Sequence, residues 1–533
     1  MYHNGQLAQK TFSAEKLNNK FLTLLSKKVR KSHWLMGVSP LALAACGGSE
    51  ENDLGTSNLG GSSPVALGIT KLFETASFQE TRQHEGFWYQ DEYTEPSLVY
   101  NSPSRVMPVD IGADGDLDLI VPITVGYRSG IDTRSNFKVY ENVDGSLVYS
   151  QELTDAAPFV AGSGRAEVIY LQNQDTEALV TVNIDTTPEG EQDSGVPWGF
   201  GDLAIVALDP FASITEAALV GTSLPNADEA GRPTAVNAHA LAIGDLNRDG
   251  LDDILIGDLT EGAHGLLQKQ DGKFEYFTTE LLLSLSNWQD PALPANNDSP
   301  YLLDLHMDDF NGDGFDDIVV GWGHETSASR VFFNSDSGFS VDTSTVLPES
   351  VYGINDSLHM STFSEDFDSD GDQDLIIVYS RDEPYYGGVH LQYLTNDGNG
   401  NFLDETSSRL IDPNDYPNTY GERLDWHNNF QVLDIDSDGD YDIVGNYSST
   451  DHTKQEPIIF RNDGQGYFEL IELPLISNVP FYLVAADFNQ NDELELVSYS
   501  GGWDDPEGTS ATYYFEVYEV SGLPEALSVT ADV

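Results

Sequence analysis

The sequence predicts an all-β fold, a β-propeller of seven four-stranded antiparallel blades, and three observations lead to it. A similar acidic segment recurs seven times in the 533-residue chain, with starts 53 to 75 residues apart. Apolar and β-branched runs flank each copy, and Gly after Asn or Asp marks a second hairpin in most repeats. No long segment shows a capped helical period, so short strands closing radially into a ring explain the pattern best.

The residues that precede the repeats differ from them in charge. Residues 1–45 hold seven Lys and Arg and one acid, and they end in an apolar run from Trp34 to Ala45. That run is too short to span a bilayer, which takes about 20 apolar residues. A basic stretch followed by a short apolar stretch is typical of a secretory signal, so we expect residues 1–46 to direct export.

The only cysteine of the chain, Cys46, directly follows Leu43-Ala44-Ala45. This arrangement resembles the lipobox of bacterial lipoproteins, which implies that Cys46 is lipidated and that the lipid alone holds the protein to a membrane. The resemblance implies an outer-membrane or cell-surface lipoprotein of a bacterium. An unmodified thiol after an ordinary signal peptide is the alternative. Residues 47–64 are typical of a flexible tether, and residues 65–533 form the predicted propeller.

Four of the acidic segments have the spacing Asp-x-Asp/Asn-x-Asp-Gly-x-x-Asp, in which the first Asp is position 1 and the last is position 9, and a fifth differs from it in having Gly112 at position 3. We name them loop A (110–118), loop B (245–253), loop C (309–317), loop D (366–374) and loop E (434–442). A weaker copy, loop F (487–495), has Asn491, Asp492 and Glu495 where Asp, Gly and Asp are expected, and its occupancy is left open. The copy at Tyr170 keeps only the hydrophobic frame and should bind no metal.

The chemistry of these loops favours a calcium ion. Alternating carboxylates in a tight loop can point at one centre, and Gly at position 6 permits the sharp turn. Several charged oxygen ligands in a flexible loop suit Ca²⁺, whereas Mg²⁺ prefers a smaller octahedral site with retained waters. An EF-hand is rejected because its twelfth position is Glu, and loops B and C have Ile256 and Val320 there. Solvated acidic turns without metal are the alternative.

The repeat resembles the FG-GAP and VCBS family, also found in the propeller of integrin α chains, over roughly residues 65–533. The resemblance implies the same fold and about five Ca²⁺ sites with a structural role. The expected metal ligands are Asp110, Asp114, Asp118, Asp245, Asn247, Asp249, Asp253, Asp309, Asn311, Asp313, Asp317, Asp366, Asp368, Asp370, Asp374, Asp434, Asp436, Asp438 and Asp442. Loops D and E carry four ligand carboxylates each and should bind tightest, and loop A, with Gly112 at position 3, should be the weakest of the five.

A second candidate site lies on the face opposite the loops, where the first strand of each blade begins and the second ends. Aromatic, imidazole and guanidinium groups there could stack on a sugar or pair with a carboxylate. The residues expected on this possible ligand face are His239, Trp322, His324, His359, Tyr379, Arg381, Trp426 and His427. The alternatives are side chains that pack between blades, and a histidine cluster near the axis that binds a transition metal or acts in catalysis.

The charge and the absent motifs narrow the function. A formal net charge of −65 disfavours nucleic-acid backbones, which require clustered Lys and Arg. The sequence carries no nucleophile elbow, His-Glu-x-x-His, P-loop or dinucleotide fingerprint. Recognition or adhesion through an unidentified protein or glycan is therefore favoured over catalysis. A calcium-dependent polysaccharide lyase or glycoside hydrolase is the first alternative, and a purely structural surface protein is the second.

Overall fold

The computed structural model describes most of the chain between Gly68 and Ser521. The described residues are 68–75, 79–81, 100–103, 106–126, 134–156, 160–161, 165–182, 203–209, 211–213, 219–220, 238–258, 262–285, 301–323, 328–354, 356–381, 387–411, 430–436, 438–448, 455–472, 480–491, 494–503 and 510–521. Cys46, the segment before it and the tether lie outside these residues, as do His324, Trp426 and His427.

The strands form seven separate sheets, which we number as blades 1 to 7 along the chain. The first two strands are β1 (Gly68–Thr75) and β2 (Gln79–Thr81). Blade 1 contains β3 (Tyr100–Pro103), β4 (Met107–Val109), β5 (Asp118–Gly126), β6 (Arg134–Val143), β7 (Ser146–Tyr149), helix α1 (Gln151–Ala156) and β8 (Val160–Ala161). Blade 2 contains β9 (Arg165–Leu171), β10 (Thr176–Val182), β11 (Leu203–Leu208) and β12 (Phe211–Ser213).

Blades 3 and 4 follow along the chain. Blade 3 contains β13 (Leu219–Val220), β14 (Ala238–Gly244), β15 (Asp253–Asp258), β16 (Gly262–Gln268), β17 (Phe274–Phe277) and the following helix α2 (Glu280–Ser284). Blade 4 contains β18 (Tyr301–Asp308), β19 (Asp317–Gly323), β20 (Arg330–Phe332), a 3₁₀ turn (Val341–Thr343) and β21 (Ser344–Val346).

Blades 5 to 7 complete the ring. Blade 5 contains β22 (Ser357–Glu365), β23 (Asp374–Arg381), β24 (Gly387–Asn396), β25 (Phe402–Asp404) and helix α3 (Thr406–Arg409). Blade 6 contains β26 (Leu410–Ile411), β27 (Phe430–Leu433), β28 (Asp442–Ser448), β29 (Gln455–Asn462) and β30 (Phe468–Glu472). Blade 7 contains β31 (Pro480–Ala486), β32 (Glu495–Trp503) and β33 (Ser510–Ser521).

The ring is closed by the two ends of the described chain. Blade 7 takes its outermost strand from the N-terminal side, because β1 pairs antiparallel with β33 from Gly68 opposite Ser521 to Thr75 opposite Phe515. The prediction of a seven-bladed propeller of four-stranded antiparallel blades is thus confirmed. Blades 3 and 6 add a short fifth strand, since β13 and β26 pair parallel to β17 and β30.

Seven hydrophobic clusters hold the blades together, one at each blade interface. One cluster joins blades 6 and 7, and the next joins blade 7 to blade 1 through Val484 and Val497 against Leu119 and Val121. The other five lie between blades 1 and 2, 2 and 3, 3 and 4, 4 and 5, and 5 and 6. Each blade therefore packs against a neighbouring blade on both faces, and the ring is continuous at its joint.

The β-branched runs that follow the acidic loops owe their composition to this double burial. In β23, Leu375 and Ile377 pack on blade 4, whereas Ile376 and Val378 pack towards blade 6. Successive side chains of a strand point to opposite faces, so a strand buried on both faces has a continuous apolar run rather than an alternating one. Among the described residues, no helix is both long enough and apolar enough to cross a bilayer.

Candidate metal centre

Loops A to E occupy the same place in their blades. Each connects the innermost strand to the second strand, as loop D does between β22 and β23. All five therefore lie on one face of the ring, a placement that follows from the strand order of each sheet. Loop F has the same position in blade 7, between β31 and β32.

The carboxylate at position 1 organises the backbone of each loop. The N–H of the position-6 glycine donates to its Oδ2 in all five loops, at 2.7 to 3.1 Å. These glycines have φ between 82° and 102°, a conformation that side chains with a Cβ rarely adopt. Position 6 is therefore Gly in all five loops because the backbone there has a positive φ.

The carboxylate at position 9 is buried beneath the loop. Its exposed fraction is 3% in Asp118 and 0% in Asp253, Asp317, Asp374 and Asp442. In every loop its Oδ1 accepts the backbone N–H of the last residue of the third strand or its equivalent, at 2.7 to 2.8 Å. A carboxylate oxygen has two lone pairs, so these bonds leave acceptor sites that can face a cation.

The carboxylates converge most closely in loops D and E. In loop D, Asp366, Asp368 and Asp370 each bring one oxygen within 4.8 Å of the others, and in loop E Asp434, Asp436 and Asp442 do the same. Calcium–oxygen distances of about 2.3–2.6 Å fit one ion among oxygens at such separations. The Oδ1 atoms of Asp366, Asp368 and Asp436 are buried and have no hydrogen-bond partner within the described chain. A buried carboxylate oxygen without a donor is costly, and a cation would satisfy it.

Burial and the closeness of other carboxylates also disfavour the ionised form of the loop aspartates when no cation is bound. Burial raises the pKa of Asp118 to about 6, that of Asp374 to about 7, and that of Asp253, Asp317 and Asp442 to about 8. Nearby carboxylates of the same loop raise each pKa further, and the donors described above oppose the shift. A bound cation would favour the ionised forms. The donor set and these buried oxygens fit calcium.

The two degenerate copies differ in how much of this scaffold they keep. In loop F, Glu495 replaces the position-9 Asp, is 1% exposed, and accepts the N–H of Phe488 at 2.9 Å as well as the side chain of Asn489. Loop F thus keeps the backbone frame with a longer acid. At the Tyr170 copy the chain makes a plain turn between β9 and β10, where the Tyr170 hydroxyl bonds Asp175.

Sequence reasoning missed a set of amide side chains that tie the loops to the neighbouring blades. The side chain of Asn396, which ends β24, donates to the carbonyls of Gln373 in its own blade and Phe310 in blade 4, at 3.0 and 2.8 Å. Asn462 does the same from blade 6, to Tyr441 and to Phe367 in blade 5. Asn142 and Gln268 make equivalent bonds to the preceding blade. These side chains form what we call the amide clamp.

Of the five described residues that were predicted on the opposite face, four are buried inside the ring. His239, Trp322, His359 and Tyr379 are at most 9% exposed. The indole of Trp322 donates to the carbonyl of Leu285 at 2.8 Å, which makes it a packing residue of blades 3 and 4. Arg381 is half-buried, with its guanidinium carbon 4.9 Å from the ring centre of Tyr352. For the four buried side chains, the structure fits the packing alternative better than an accessible ligand face.

A strand irregularity explains this burial. The pairing of the two inner strands shifts register at residue 239 in blade 3, 303 in blade 4, 360 in blade 5 and 481 in blade 7. The extra residue of such a bulge rotates its neighbours relative to a regular strand. In blade 5 the ring of His359 is consequently enclosed, with hydrogen bonds to Ser329 and Thr362 at 2.7 Å each.

Three of these bulged residues point their carbonyls at one guanidinium. Arg165, the first residue of β9, is 2% exposed and donates to the carbonyls of His239, Leu303 and Met360 at 2.8, 2.9 and 2.7 Å. It also lies 3.4 Å from a carboxylate oxygen of Asp304, which is itself 2% exposed. One side chain of blade 2 thus contacts blades 3, 4 and 5, which requires a position near the axis of the ring.

These features define the chain as a seven-bladed β-propeller with acidic loops on one face of the ring. The buried Arg165, which we call the arginine hub, lies near the axis. No protein-family model and no curated protein matches the sequence.

Solved structures resemble the fold at low identity. The BBS1N–ARL6DN complex soaked with mercury has a matching chain with a TM-score of 0.39 and 9% identity, covering 85% of this chain and 98% of that one. The V. cholerae biofilm matrix protein Bap1 matches with a TM-score of 0.33 and 12% identity, covering 84% and 92% of the two chains. These likenesses assign no function to the chain.

Proposed function

We propose that the chain is a calcium-stabilised, cell-surface β-propeller that serves in recognition or adhesion by binding a protein or a glycan. The calcium part rests on one observation above others. In loops D and E, three carboxylates converge while buried oxygens of Asp366, Asp368 and Asp436 have no donor within the described chain. When bound, calcium would neutralise these carboxylates and fix the turn between the two inner strands of a blade.

The chain's own residues explain why a cation at the loops would stabilise the ring. In four of the five loops the position-9 carboxylate accepts the N–H of a residue whose side chain belongs to the amide clamp, for example Asn396 above Asp374. Fixing the carboxylate therefore also fixes a clamp that crosses a blade interface. The proposed ligands are those expected from the sequence, and the role is structural rather than catalytic.

Removing calcium should lower the melting temperature of the protein by several degrees. Ligand bound only to the folded state stabilises it by about 2.7 kcal/mol per site at a hundredfold excess over Kd. Differential scanning fluorimetry in excess EDTA, and then at a series of increasing calcium concentrations, would measure the shift. Calcium added back in excess should restore the melting temperature, and magnesium should restore less. An unchanged melt in EDTA would contradict the structural role of calcium.

The recognition part rests on the resemblance of the repeat to the integrin α propeller, a fold-level argument, and on the rigid faces that a closed ring offers. Glycan and protein arrays probed with calcium present, followed by a product assay on every hit, would test it. Binding without turnover supports recognition. Turnover of an acidic polysaccharide would instead establish the lyase or hydrolase alternative.

The surface location is part of the same proposal and depends on Cys46, which would carry the lipid. The Cys46→Ser variant should move from the membrane fraction to the soluble fraction of expressing bacteria. Continued membrane association of this variant would refute the lipid anchor.

A further inference from the structure

A positively charged side chain lies beside one of the loop D carboxylates that are assigned to calcium. The guanidinium of Arg409, the last residue of α3, lies with Nη1 3.0 Å from Oδ2 of Asp368 at position 3. The other oxygen of Asp368, Oδ1, is buried and has no hydrogen-bond partner within the described chain. One oxygen of this carboxylate therefore accepts from an arginine while the other is left without a donor, and Asp368 is one of the three carboxylates that converge in the loop.

Arg409 is held in this place by three further contacts. Its Nη1 also donates to the carbonyl of Gln465 in blade 6 at 2.9 Å, and its Nε lies 2.6 Å from the carboxylate of Glu405. Its guanidinium carbon is 5.2 Å from the ring centre of Tyr467. The side chain is 19% exposed, so it is fixed between blades 5 and 6 rather than mobile on the surface.

Loops D and E are the loops with Asp rather than Asn or Gly at position 3, and both have an arginine close by. In loop E, burial raises the pKa of Asp436 to about 6, and the charge of Arg461 acts in the opposite direction. Arg461 is 2% exposed. In loop B, where Asn247 stands at position 3, the neighbouring Arg248 points to blade 4, where it lies 3.0 Å from Asp336 and 3.8 Å from Asp313 at position 5 of loop C.

We propose that Arg409 offsets the fourth carboxylate of loop D, so that the loop presents to a calcium ion the charge of a three-carboxylate loop. The inference rests on the proposed calcium binding and changes the ranking expected from the sequence alone. With Arg409 in place, the extra acid at position 3 gives loop D little advantage over loop B, which has three carboxylates. Arg409 is a positioning residue, since it reaches the ion only through Asp368.

A charge cycle at these two positions tests the proposal. The Arg409→Gln variant should bind calcium at loop D about tenfold more tightly, because a unit charge a few ångströms from a divalent ion is worth about that factor even in a water-like dielectric. The Asp368→Asn variant should bind about tenfold more weakly, since Arg409 is then unbalanced. The double variant, which has three carboxylates and no arginine, should return to within about threefold of the native chain. Arg409→Lys keeps the charge and should leave the affinity near native.

The readout must resolve one loop among five, and hydrogen-exchange mass spectrometry during a calcium titration does so. Peptides covering loop D report the variants, and peptides covering loop B in the same molecule serve as the internal reference. If Arg409→Gln prevents folding, Asp368→Asn decides alone, because its loop D should then titrate at higher calcium than loop B. If Arg409→Gln weakens loop D, or if loop D of Asp368→Asn titrates together with loop B, the charge offset is refuted while calcium binding stands. If no loop responds to calcium, both the proposed calcium binding and this inference fail.

Discussion

Replacing Arg165 by Met should lower the free energy of unfolding by about 3–5 kcal/mol, the cost of removing one partner from a buried ion pair. The guanidinium donates to three bulged carbonyls in three blades and lies beside the buried carboxylate of Asp304. Met fills a similar volume but offers no donor. The substitution therefore removes a donor from three carbonyls and the countercharge from Asp304, whose carboxylate keeps the hydrogen bond from Thr362.

Urea unfolding followed by tryptophan fluorescence would measure the effect, and two further variants calibrate it. Arg165→Lys keeps the charge but replaces the planar guanidinium, whose several donors reach three carbonyls, by a single ammonium group. Its loss of unfolding free energy should therefore be intermediate. Lys269→Met removes an ion pair to Glu275 in which both side chains are at least 36% exposed, and should cost less than about 1 kcal/mol. An Arg165→Met loss no larger than that of Lys269→Met would show that the hub contributes nothing to stability.

The hub illustrates what the sequence could not reveal. Arg165 lies 74, 138 and 195 residues from the three carbonyls that it binds. It also lies in the repeat with the most degenerate acidic segment, where the periodic pattern gives least guidance. The bulges that turn these carbonyls inward are local departures from regular pairing, and no turn residue marks them in the sequence.

The features that could be predicted are the ones that each repeat specifies locally. The acidic spacing, the Gly at position 6 and the apolar run after position 9 placed the loop and its two flanking strands correctly in five blades. The count of seven repeats then predicted a closed ring of seven blades. Whether the histidines and aromatic residues of the opposite face are exposed or buried was harder to predict. In blade 5, a register shift one residue after His359 decides which side of the strand is enclosed.

The amide clamp lies between these extremes. Asn334, Asn396 and Asn462 stand before the Gly-containing turn of the second hairpin, where Asn is readily explained as a turn former. Their recurrence at one place per repeat was the available signal. The second role of Asn396 and Asn462, donation to a carbonyl of the preceding blade, follows only once the turn is seen to lie against the loop of that blade, as the carbonyl of Gly398 does beside Gly312 of loop C.

Replacing Asn396 by Leu should lower the free energy of unfolding by about 3 kcal/mol, an effect second only to that of Arg165→Met. The side chain is buried, donates to Gln373 and Phe310, and accepts the N–H of Gly400 at 3.1 Å. Leaving each buried carbonyl without a donor costs about 1–3 kcal/mol, and apolar burial of the Leu side chain offsets part of it. The loss crosses a blade interface and should therefore also reduce the cooperativity of unfolding.

Asn399→Ala in the same turn is the matched control, because the exposed Asn399 side chain bonds within the turn, to Asp397, and not to the preceding blade. Urea unfolding should show a change of less than about 0.5 kcal/mol for this variant, as is usual for exposed positions. Equal effects of Asn399→Ala and Asn396→Leu would mean that the turn matters and the clamp does not. A larger loss for Asn396→Leu in calcium than in EDTA would further indicate that the clamp transmits the stabilisation from loop D, since Asp374 holds the backbone N–H of Asn396 at 2.8 Å. The clamp and the loop would then act as one unit joining blades 4 and 5.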